Sequence, residues 1–382
     1  MLLSRENIVL INLMRLQQAF GAGSLKSFKI YDILKANNRL SVLFDKNDLY
    51  NLIKNKDADK ILSIKPEQVF KIIDDCIKNN ICVLTIEDSN YPDRLRNIID
   101  PPLILYIKGE LPNIDSLPVI SIVGPRKISD FGKKAAFSLS LRLAKSGIII
   151  ASGGALGADT CAHNGALKCG GKTIAVLGCG ICYDYLPENR QLREDIAKNG
   201  CVISEHPPYA PATKYAFPIR NRIVSALSLG TVVIEAGSKS GALITARLAN
   251  EQGRDVFVIP GNPTLPEYKG SNALLRDGAL PLLDASDIFI QYILKFPEKI
   301  DIEKAFQEDN SNQNCVKKQK NLKLGLSKEA EIVYNNLNNQ KFTADDLLNL
   351  ELNNDELIAA LTELEIEQVI KACPGGIYEL IN

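Results

Sequence analysis

Five short apolar runs, each ending in glycine or a small polar residue, constrain the fold of this chain more than any other feature. They occupy residues 119–123, 148–151, 173–177, 231–234 and 256–259. Runs that are apolar throughout are typical of strands buried on both faces of a parallel sheet. Helical patterns fill the gaps, so the sequence predicts an α/β fold with a doubly wound, mostly parallel sheet. Such sheets bind ligands at the carboxyl ends of their strands.

Three further regions are predicted around this sheet. Residues 1–68 are rich in helix formers and predict an N-terminal helical domain, SAM-like or helix-hairpin-helix-like, in which Gly21-Ala22-Gly23 is either a hairpin or a plain turn. The α/β domain is expected to span 69–295, with two extra strands ahead of the main sheet. Residues 296–325 predict a polar linker, and 326–382 predict a winged-helix-like domain of three helices and a hairpin.

Charge is divided unevenly along the chain, although the formal net charge is zero. Residues 118–228 contain 14 Lys and Arg against 7 Asp and Glu, whereas residues 327–382 contain 3 against 11. The basic region suits an anionic ligand, and the acidic tail repels one. A transcription factor that binds duplex DNA through the tail domain is therefore disfavoured.

Composition and spacing also exclude several kinds of site. The apolar stretches are short and interrupted by charge, so we expect a cytoplasmic protein without a membrane partner. The nine cysteines are scattered and the pair Cys179 and Cys182 has no second pair, so no metal is expected. Gly178-Cys179-Gly180 lacks the third glycine of a dinucleotide fingerprint, so no cofactor is expected. No catalytic triad or isolated carboxylate pair stands out, which favours binding over catalysis.

The first two strand ends carry glycine-rich loops. Gly124-Pro125-Arg126-Lys127 precedes a helix expected to start near Ser129, where free amides attract an anion. Arg126 offers a planar fork for phosphate oxygens, or else pairs with a carboxylate at the end of the sheet. The stretch from Ser152-Gly153-Gly154 to Asp159 is a second glycine-rich loop ahead of a helix, with side chains small enough for a ligand backbone to lie close. Asp159 either orients Arg126 or caps a turn. His163, one turn further on, is expected to be a hydrogen-bonded packing residue.

Two later segments add positive charge. Arg220-Asn221-Arg222 lies at an expected helix start, where residues two apart diverge. The two arginines therefore contact two phosphates, or one phosphate and one internal acid such as Glu235. Lys239-Ser240-Gly241 opens the next helix as a further anion site, because it lacks the spacing of a Walker loop.

These motifs, in one order over about 200 residues, resemble those of the DprA/Smf family of DNA-processing proteins. The resemblance includes the Gly-Pro-Arg loop, the second glycine loop, Tyr185 with Pro187-Glu188-Asn189, and the segments from Phe217 and Lys239. Leu156 stands where many members carry Arg or Lys, and Leu186 replaces a proline.

The resemblance implies an extended Rossmann-like core that binds single-stranded DNA, as a homodimer and without catalysis. In that family the protein protects incoming strands during natural transformation and loads the RecA recombinase. The candidate nucleic-acid contacts are Gly124, Arg126, Lys127, Ser152, Gly153, Gly154, Asn189, Arg220, Asn221, Arg222, Lys239, Ser240 and Gly241.

The competing hypothesis is a related Rossmann-like hydrolase that cleaves the glycosidic bond of nucleoside monophosphates. Such enzymes carry a Pro-Gly-Gly-x-Gly-Thr loop with a nearby Glu. The comparable segment here, residues 235–241, reads Glu-Ala-Gly-Ser-Lys-Ser-Gly. Only fold analogy supports this alternative.

Overall fold

The computed structural model describes residues 6–307, 326–337, 341–347, 350, 352–367, 369–373 and 377–380. The chain forms two compact units, Met1–Gln307 and Glu308–Asn382. Of the predicted linker, residues 308–325 lie outside the described part of the chain, and so does the predicted hairpin turn at 374–376.

One large sheet organises the first unit. Its strands are β1 (Cys82–Thr85), β2 (Ile104–Gly109), β3 (Val119–Val123), β4 (Ile149–Ser152), β5 (Thr173–Leu177), β6 (Cys201–Ser204), β7 (Gly230–Val233), β8 (Asp255–Val258) and β9 (Leu280–Pro281). The spatial order is β1-β2-β6-β5-β4-β3-β7-β8-β9. Strands β3 to β9 are parallel, while β2 is antiparallel to β6 and β1 to β2. The predicted doubly wound, mostly parallel sheet is confirmed.

The direction of strand addition reverses between β3 and β7. From β3 the chain proceeds outward through β4, β5 and β6, and then returns to place β7 on the other side of β3. Every residue of β3, β4, β5 and β7 is buried, as the apolar runs predict. Sheets of this kind bind ligands at the carboxyl edge beside such a reversal.

Helices cover the sheet and bring their N-termini to the strand ends. They are α1 (Ile8–Phe20), α2 (Leu25–Ala36), α3 (Lys46–Leu52), α4 (Asn55–Ser63), α5 (Pro66–Lys78), α6 (Asp93–Arg96), α7 (Asp130–Lys145), α8 (Ala158–Lys168), α9 (Arg190–Asn199), α10 (Ala216–Leu227), α11 (Gly241–Glu251), α12 (Lys269–Arg276), α13 (Ala285–Tyr292) and α14 (Ile302–Phe306). Ser129 caps α7, because its Oγ accepts a hydrogen bond from the Gly132 N–H at 2.9 Å.

The N-terminal helices share the hydrophobic core of the sheet domain. The Gln17 amide of α1 donates to the Glu205 carbonyl at 2.8 Å and accepts from the Tyr106 hydroxyl at 3.0 Å. Gly23 lies against α10, where an added Cβ would come within 2.1 Å of Ile219 Cγ2. The Gly-Ala-Gly segment therefore packs as a connecting turn, and α1 and α2 belong to the same compact unit as the sheet.

The second unit has its own small core. It contains α15 (Lys328–Asn336), α16 (Asn354–Ile366), β10 (Lys341–Thr343), β11 (Ile370–Cys373) and β12 (Ile377–Leu380). The three strands form an antiparallel sheet in the order β10-β12-β11. A short 3-10 helix, Ala344–Leu347, stands where the sequence predicts a second helix. The winged helix remains a prediction for this unit.

In the described ranges, no helix combines the length and the apolar character needed to cross a lipid bilayer.

Candidate nucleic-acid interface

The two glycine loops pack against each other at the carboxyl edge of the sheet. The Ala158 N–H donates to the Pro125 carbonyl at 3.2 Å. Gly157 has φ +82°, and a Cβ added there would lie 2.4 Å from the carbonyl oxygens of Pro125 and Arg126. A Cβ on Gly124 would lie 2.6 Å from Ala158 Cβ. The contact between the two loops therefore requires glycine at positions 124 and 157. This contact fixes the position of Arg126 in the first loop.

Arg220 of α10 lies directly beneath the second loop. A Cβ on Gly153 would come within 1.6 Å of its Nη1. The side chain is buried, its Nε has no hydrogen-bond partner, and no ion pair to it is found in residues 6–307. Burial lowers the pKa of Arg220, the Asp159 carboxylate opposes that shift, and the positive charge of Arg126 adds to it. An anion at this point would supply the partner that the guanidinium lacks.

Arg126 is exposed and lies over an aromatic ring. Its guanidinium carbon is 5.0 Å from the centre of the Phe217 ring. The Phe217 and Tyr185 rings are 5.3 Å apart and tilted by 42°. Arg126 makes no ion pair within the described ranges, so the alternative of pairing with a sheet-end carboxylate is not realised. We call Arg126, Arg220, Phe217 and Tyr185 the strand-end site.

The strand-end site encloses very little space. Its cavity, lined by Gly153, Gly154, Tyr185, Phe217 and Arg220, measures about 10 Å³. That volume is about one water molecule. A nucleotide would therefore lie across this surface, with only a phosphate oxygen reaching toward Arg220.

Three of the predicted contacts are buried and already bonded within the protein. The Ser152 hydroxyl donates to the Ile122 carbonyl at 2.6 Å. The Asn189 amide donates to the Gly154 carbonyl at 3.2 Å and to Thr160 Oγ1 at 2.9 Å. Asn189 and Ser152 thus support the second loop from beneath, so we assign them a positioning role.

Arg222 is the third predicted contact that is buried and already bonded within the protein. Its Nη2 lies 2.8 Å from both carboxylate oxygens of Glu205, and its Nε donates to Asp100 at 3.0 Å. Arg220 and Arg222 diverge as expected for residues two apart on a helix, but the internal acids are Glu205 and Asp100 rather than Glu235. Because Arg222 is buried and neutralised, it is not part of the proposed interface.

The N-terminus of α7 is already bound by a carboxylate side chain of the protein itself. Glu235 Oε1 accepts the Ser129 N–H at 2.8 Å, and Oε2 accepts the Ser129 hydroxyl at 2.7 Å. Glu235 is 1% exposed. The expected phosphate cradle at this helix start is therefore filled by a carboxylate from the end of β7, a pairing that depends on the neighbouring strands and is not visible in the local sequence.

The remaining predicted contacts lie on the surface. Lys127 follows β3, and Lys239 follows β7; both are exposed and make no ion pair within residues 6–307. Ser240 caps α11 by accepting the Ala242 N–H at 3.3 Å, and Gly241 borders open space. Asn221 is half-buried. Lys127 and Lys239 can extend a positive surface on either side of the strand reversal.

Sequence patterns alone do not single out Phe217 and Tyr185 as contacts. The available signal is the mixture of aromatic and basic residues in 183–193 and 214–220. Tyr215, beside the strand-end site in sequence, is 83% exposed. Exposed aromatic rings beside arginines are the elements on which unpaired bases stack.

Asp159 and His163 lie on α8, beneath the loops. The Asp159 carboxylate accepts the Ala155 N–H at 3.1 Å, so it caps the turn rather than orienting Arg126. His163 Nδ1 lies 2.7 Å from Thr173 Oγ1, and its ring is fully buried. Neither side chain is free to act on a ligand.

Burial of His163 predicts a specific pH dependence of stability. Burial lowers the pKa of His163 from 6.5 to about 3. Between those values the unfolded chain binds more protons than the folded one, so stability falls as the pH drops below 6.5. We expect wild type to lose about 2 kcal/mol more than His163→Gln between pH 7 and pH 5, measured by urea unfolding. Parallel pH profiles for the two proteins would contradict this account.

Comparison with known proteins places the chain in a family. The family model described as DNA recombination-mediator protein A matches residues 82–293, more than half of the chain. Protein Smf from Synechocystis is 41% identical over 222 residues, covering 57% of this chain and 56% of that protein. The DNA processing protein DprA of Bacillus subtilis is 39% identical over 212 residues, covering 56% of this chain and 71% of that protein.

Two solved structures are also similar. The X-ray structure of DprA from Streptococcus pneumoniae aligns with a TM-score of 0.65 and 30% identity, covering 74% of this chain and 97% of that one. DNA processing protein A from Helicobacter pylori, described for its single-stranded DNA binding mode, aligns with a TM-score of 0.51 and 34% identity over 57% of this chain and 98% of that one. The matched range contains the whole strand-end site, and the chain belongs to the family of DNA recombination-mediator protein A, whose curated relatives carry the names DprA and Smf.

Proposed function

We propose that this protein binds single-stranded DNA along the carboxyl edge of its sheet, without reading base sequence and without catalysing a reaction on the strand. The observation that carries the proposal is the buried Arg220 guanidinium beneath Gly153, whose Nε has no hydrogen-bond partner and which forms no ion pair within residues 6–307. The single-stranded DNA binding named for the Helicobacter pylori relative supports it.

The strand-end site offers two kinds of contact to a single strand. Arg126 and Arg220 can each donate charge-assisted hydrogen bonds to phosphate oxygens, Arg126 from the surface and Arg220 from below the loop. Phe217 and Tyr185 are half-buried and Arg126 covers one face of Phe217, so bases would stack on the exposed parts of the two rings, irrespective of base identity. Lys127 and Lys239 continue the positive charge to either side. Contacts to backbone and ring faces alone give affinity without sequence preference.

Binding without catalysis is supported by the state of the acidic groups. Glu235 and Asp159 are buried and bonded to backbone or hydroxyl groups near the loops. In the described ranges, no cluster of three His, Cys, Asp or Glu side chains could hold a metal ion. The competing nucleotide hydrolase would need a carboxylate free to act on a substrate and a pocket larger than about 10 Å³. Release of free base from nucleoside monophosphates by the purified protein would favour that enzyme.

The cellular location, oligomeric state and biological role follow from the family resemblance. We propose that the protein works in the cytoplasm as a homodimer, protects incoming single strands during natural transformation, and loads the RecA recombinase onto them. The family description, DNA recombination-mediator protein A, and the relative's name, DNA processing protein, support a role in DNA processing and recombination. The matched part of the chain spans about half (56%) of the length of the Synechocystis relative.

The decisive test compares single-stranded and duplex oligonucleotides of one sequence. We expect clear preference for the single strand by fluorescence anisotropy, with equal affinity for unrelated sequences. The logarithm of affinity should fall by about 0.7 per neutralised phosphate for each log unit of salt. Equal affinity for duplex and single strand would count against the proposal.

The acidic tail is expected to contribute little to strand binding. Its residues 327–382 contain 3 basic and 11 acidic side chains, and such a module does not hold a polyanion. A chain lacking residues 326–382 should therefore bind single strands as tightly as the full chain, or slightly more tightly, in the same anisotropy assay. A large loss of affinity on truncation would show that the tail binds DNA directly.

A further inference from the structure

A second cavity lies at the opposite, amino edge of the sheet. It measures about 520 Å³, and its wall includes residues of α6, the segments just ahead of β3, β7 and β8, and the end of α11. That volume falls in the range of pockets that hold ligands of nucleotide size. Arg94, Arg254 and Lys295 line it. We call it the amino-edge cavity.

Arg94 is held rigidly in the wall. Its side chain is 10% exposed, and its guanidinium donates to the Leu117 carbonyl at 3.0 Å and to the Leu227 carbonyl at 3.3 Å. The nearest carboxylate oxygen, on Asp115, stays 3.9 Å from Nε. That carboxylate instead accepts the backbone N–H groups of Asp93 and Arg94, at 2.8 and 3.1 Å. The charge of Arg94 is therefore only partly neutralised.

Arg254 has still fewer partners. Its Nε is buried without a hydrogen-bond partner, and its Nη2 makes one long contact of 3.5 Å to the Arg94 carbonyl. Neither Arg254 nor Lys295 forms an ion pair within residues 6–307. Burial lowers the pKa of both arginines, and for Arg94, whose pKa falls to about 10, the charge of Arg254 contributes. The Arg254 guanidinium thus lies beside the main chain of Arg94.

The other carboxylates of the cavity wall are paired elsewhere. They form the ion pairs Asp93–Arg96 at 3.4 Å, Asp100–Arg222 at 3.0 Å and Glu251–Arg247 at 3.6 Å. Arg254 and Lys295 are therefore left without an ion pair, whereas Asp93, Asp100 and Glu251 each have one, and Asp115 is held by two backbone N–H groups beside Arg94. An oxyanion between the two arginines would supply the hydrogen-bond acceptor that Arg254 Nε lacks.

We propose that the amino-edge cavity binds a small phosphorylated ligand, with the phosphate between Arg94 and Arg254 and with Lys295 at the rim. Ile98, Ile99 and Leu248 form an apolar part of the wall that suits the remainder of such a ligand. The cavity lies at the edge of the sheet opposite the strand-end site, so the two sites are occupied independently.

Thermal unfolding of the full chain in increasing sodium phosphate, at ionic strength held constant with chloride, tests the proposal. We expect a saturable rise in Tm for wild type and for Arg126→Gln, and loss of that rise in Arg254→Gln. Because the Arg254 charge is unpaired, Arg254→Gln should fold without phosphate at a Tm close to that of wild type and should bind single-stranded DNA normally.

Adenosine 5′-monophosphate, used as a second probe, identifies the ligand class. If the rise in Tm saturates at a lower concentration of adenosine 5′-monophosphate than of phosphate, the ligand is a nucleotide. If the two concentrations are equal, the ligand is phosphate itself. A Tm that does not saturate with phosphate, or a rise equal in wild type and Arg254→Gln, would overturn the proposal. Neither result would affect the proposed DNA binding, which Arg126→Gln tests separately.

Discussion

Arg126→Glu is expected to weaken binding of single-stranded oligonucleotides by on the order of 100-fold or more at moderate salt. The loss of one charge-assisted hydrogen bond to phosphate costs about 1 to 3 kcal/mol, and the new carboxylate adds repulsion. The same change removes the cation from the face of Phe217 and brings a negative charge near Arg220. Fluorescence anisotropy with a short unstructured oligonucleotide measures the effect.

A matched control separates local contact from overall charge. Lys71→Glu reverses one exposed charge on α5, where the side chain makes no ion pair within the described ranges. It should change affinity by no more than the general electrostatic effect of two charge units, which salt screens strongly. Circular dichroism should show that both variants fold, because Arg126 follows β3 and carries none of its hydrogen bonds. If folded Arg126→Glu binds as tightly as Lys71→Glu, the strand-end site is misplaced.

Arg220→Met and Arg222→Met are expected to have opposite consequences although they lie two residues apart. Replacement of Arg222 leaves Glu205 buried without its partner, so the free energy of unfolding should fall by about 3 to 5 kcal/mol. Replacement of Arg220 removes a buried guanidinium that forms no ion pair, together with its longer-range attraction to the buried Asp159 carboxylate, so stability should change little while single-strand affinity falls by about 10- to 100-fold.

Urea unfolding and anisotropy on the same preparations measure both effects. Each variant serves as the other's control, because both lose one arginine from α10 and gain one methionine. Folded Arg222→Met should retain most of its single-strand affinity at low temperature. Equal losses of affinity in the two variants would show that Arg222 also contacts DNA, and a strongly destabilised Arg220→Met would show that Arg220 has a structural role.

The sequence predicts the sheet well because its strands are buried on both faces. Continuous apolar runs at 119–123 and 173–177 coincide with β3 and β5, and the others agree with their strands within one residue. The carboxyl-edge location of the glycine loops follows from parallel topology alone. Strand β6 is less apparent, because Ser204 at its end limits the apolar signal to three residues.

The partners of individual side chains are less predictable, since they depend on which elements become neighbours in space. The segment around Ser129 does not indicate that Glu235, 106 residues later, accepts the hydrogen bonds of the helix N-terminus. Arg220 and Arg222 look equivalent in sequence, yet of the two only Arg222 forms an ion pair within residues 6–307. A local pattern can place charge at an edge of the sheet, whereas its neutralisation is decided by tertiary packing.

The carboxylate of Glu235 at the start of α7 has a consequence for the length of strand that the protein retains. A helix start that already binds a carboxylate does not bind an isolated phosphate, and the cavity of the strand-end site is too small to enclose a nucleotide. Affinity must then accumulate from several weak contacts made by one continuous strand, since each later contact benefits from the high effective concentration that the earlier ones create. Mononucleotides and very short fragments, which are abundant in a cell, would bind this edge of the sheet too weakly to compete with a long strand for it.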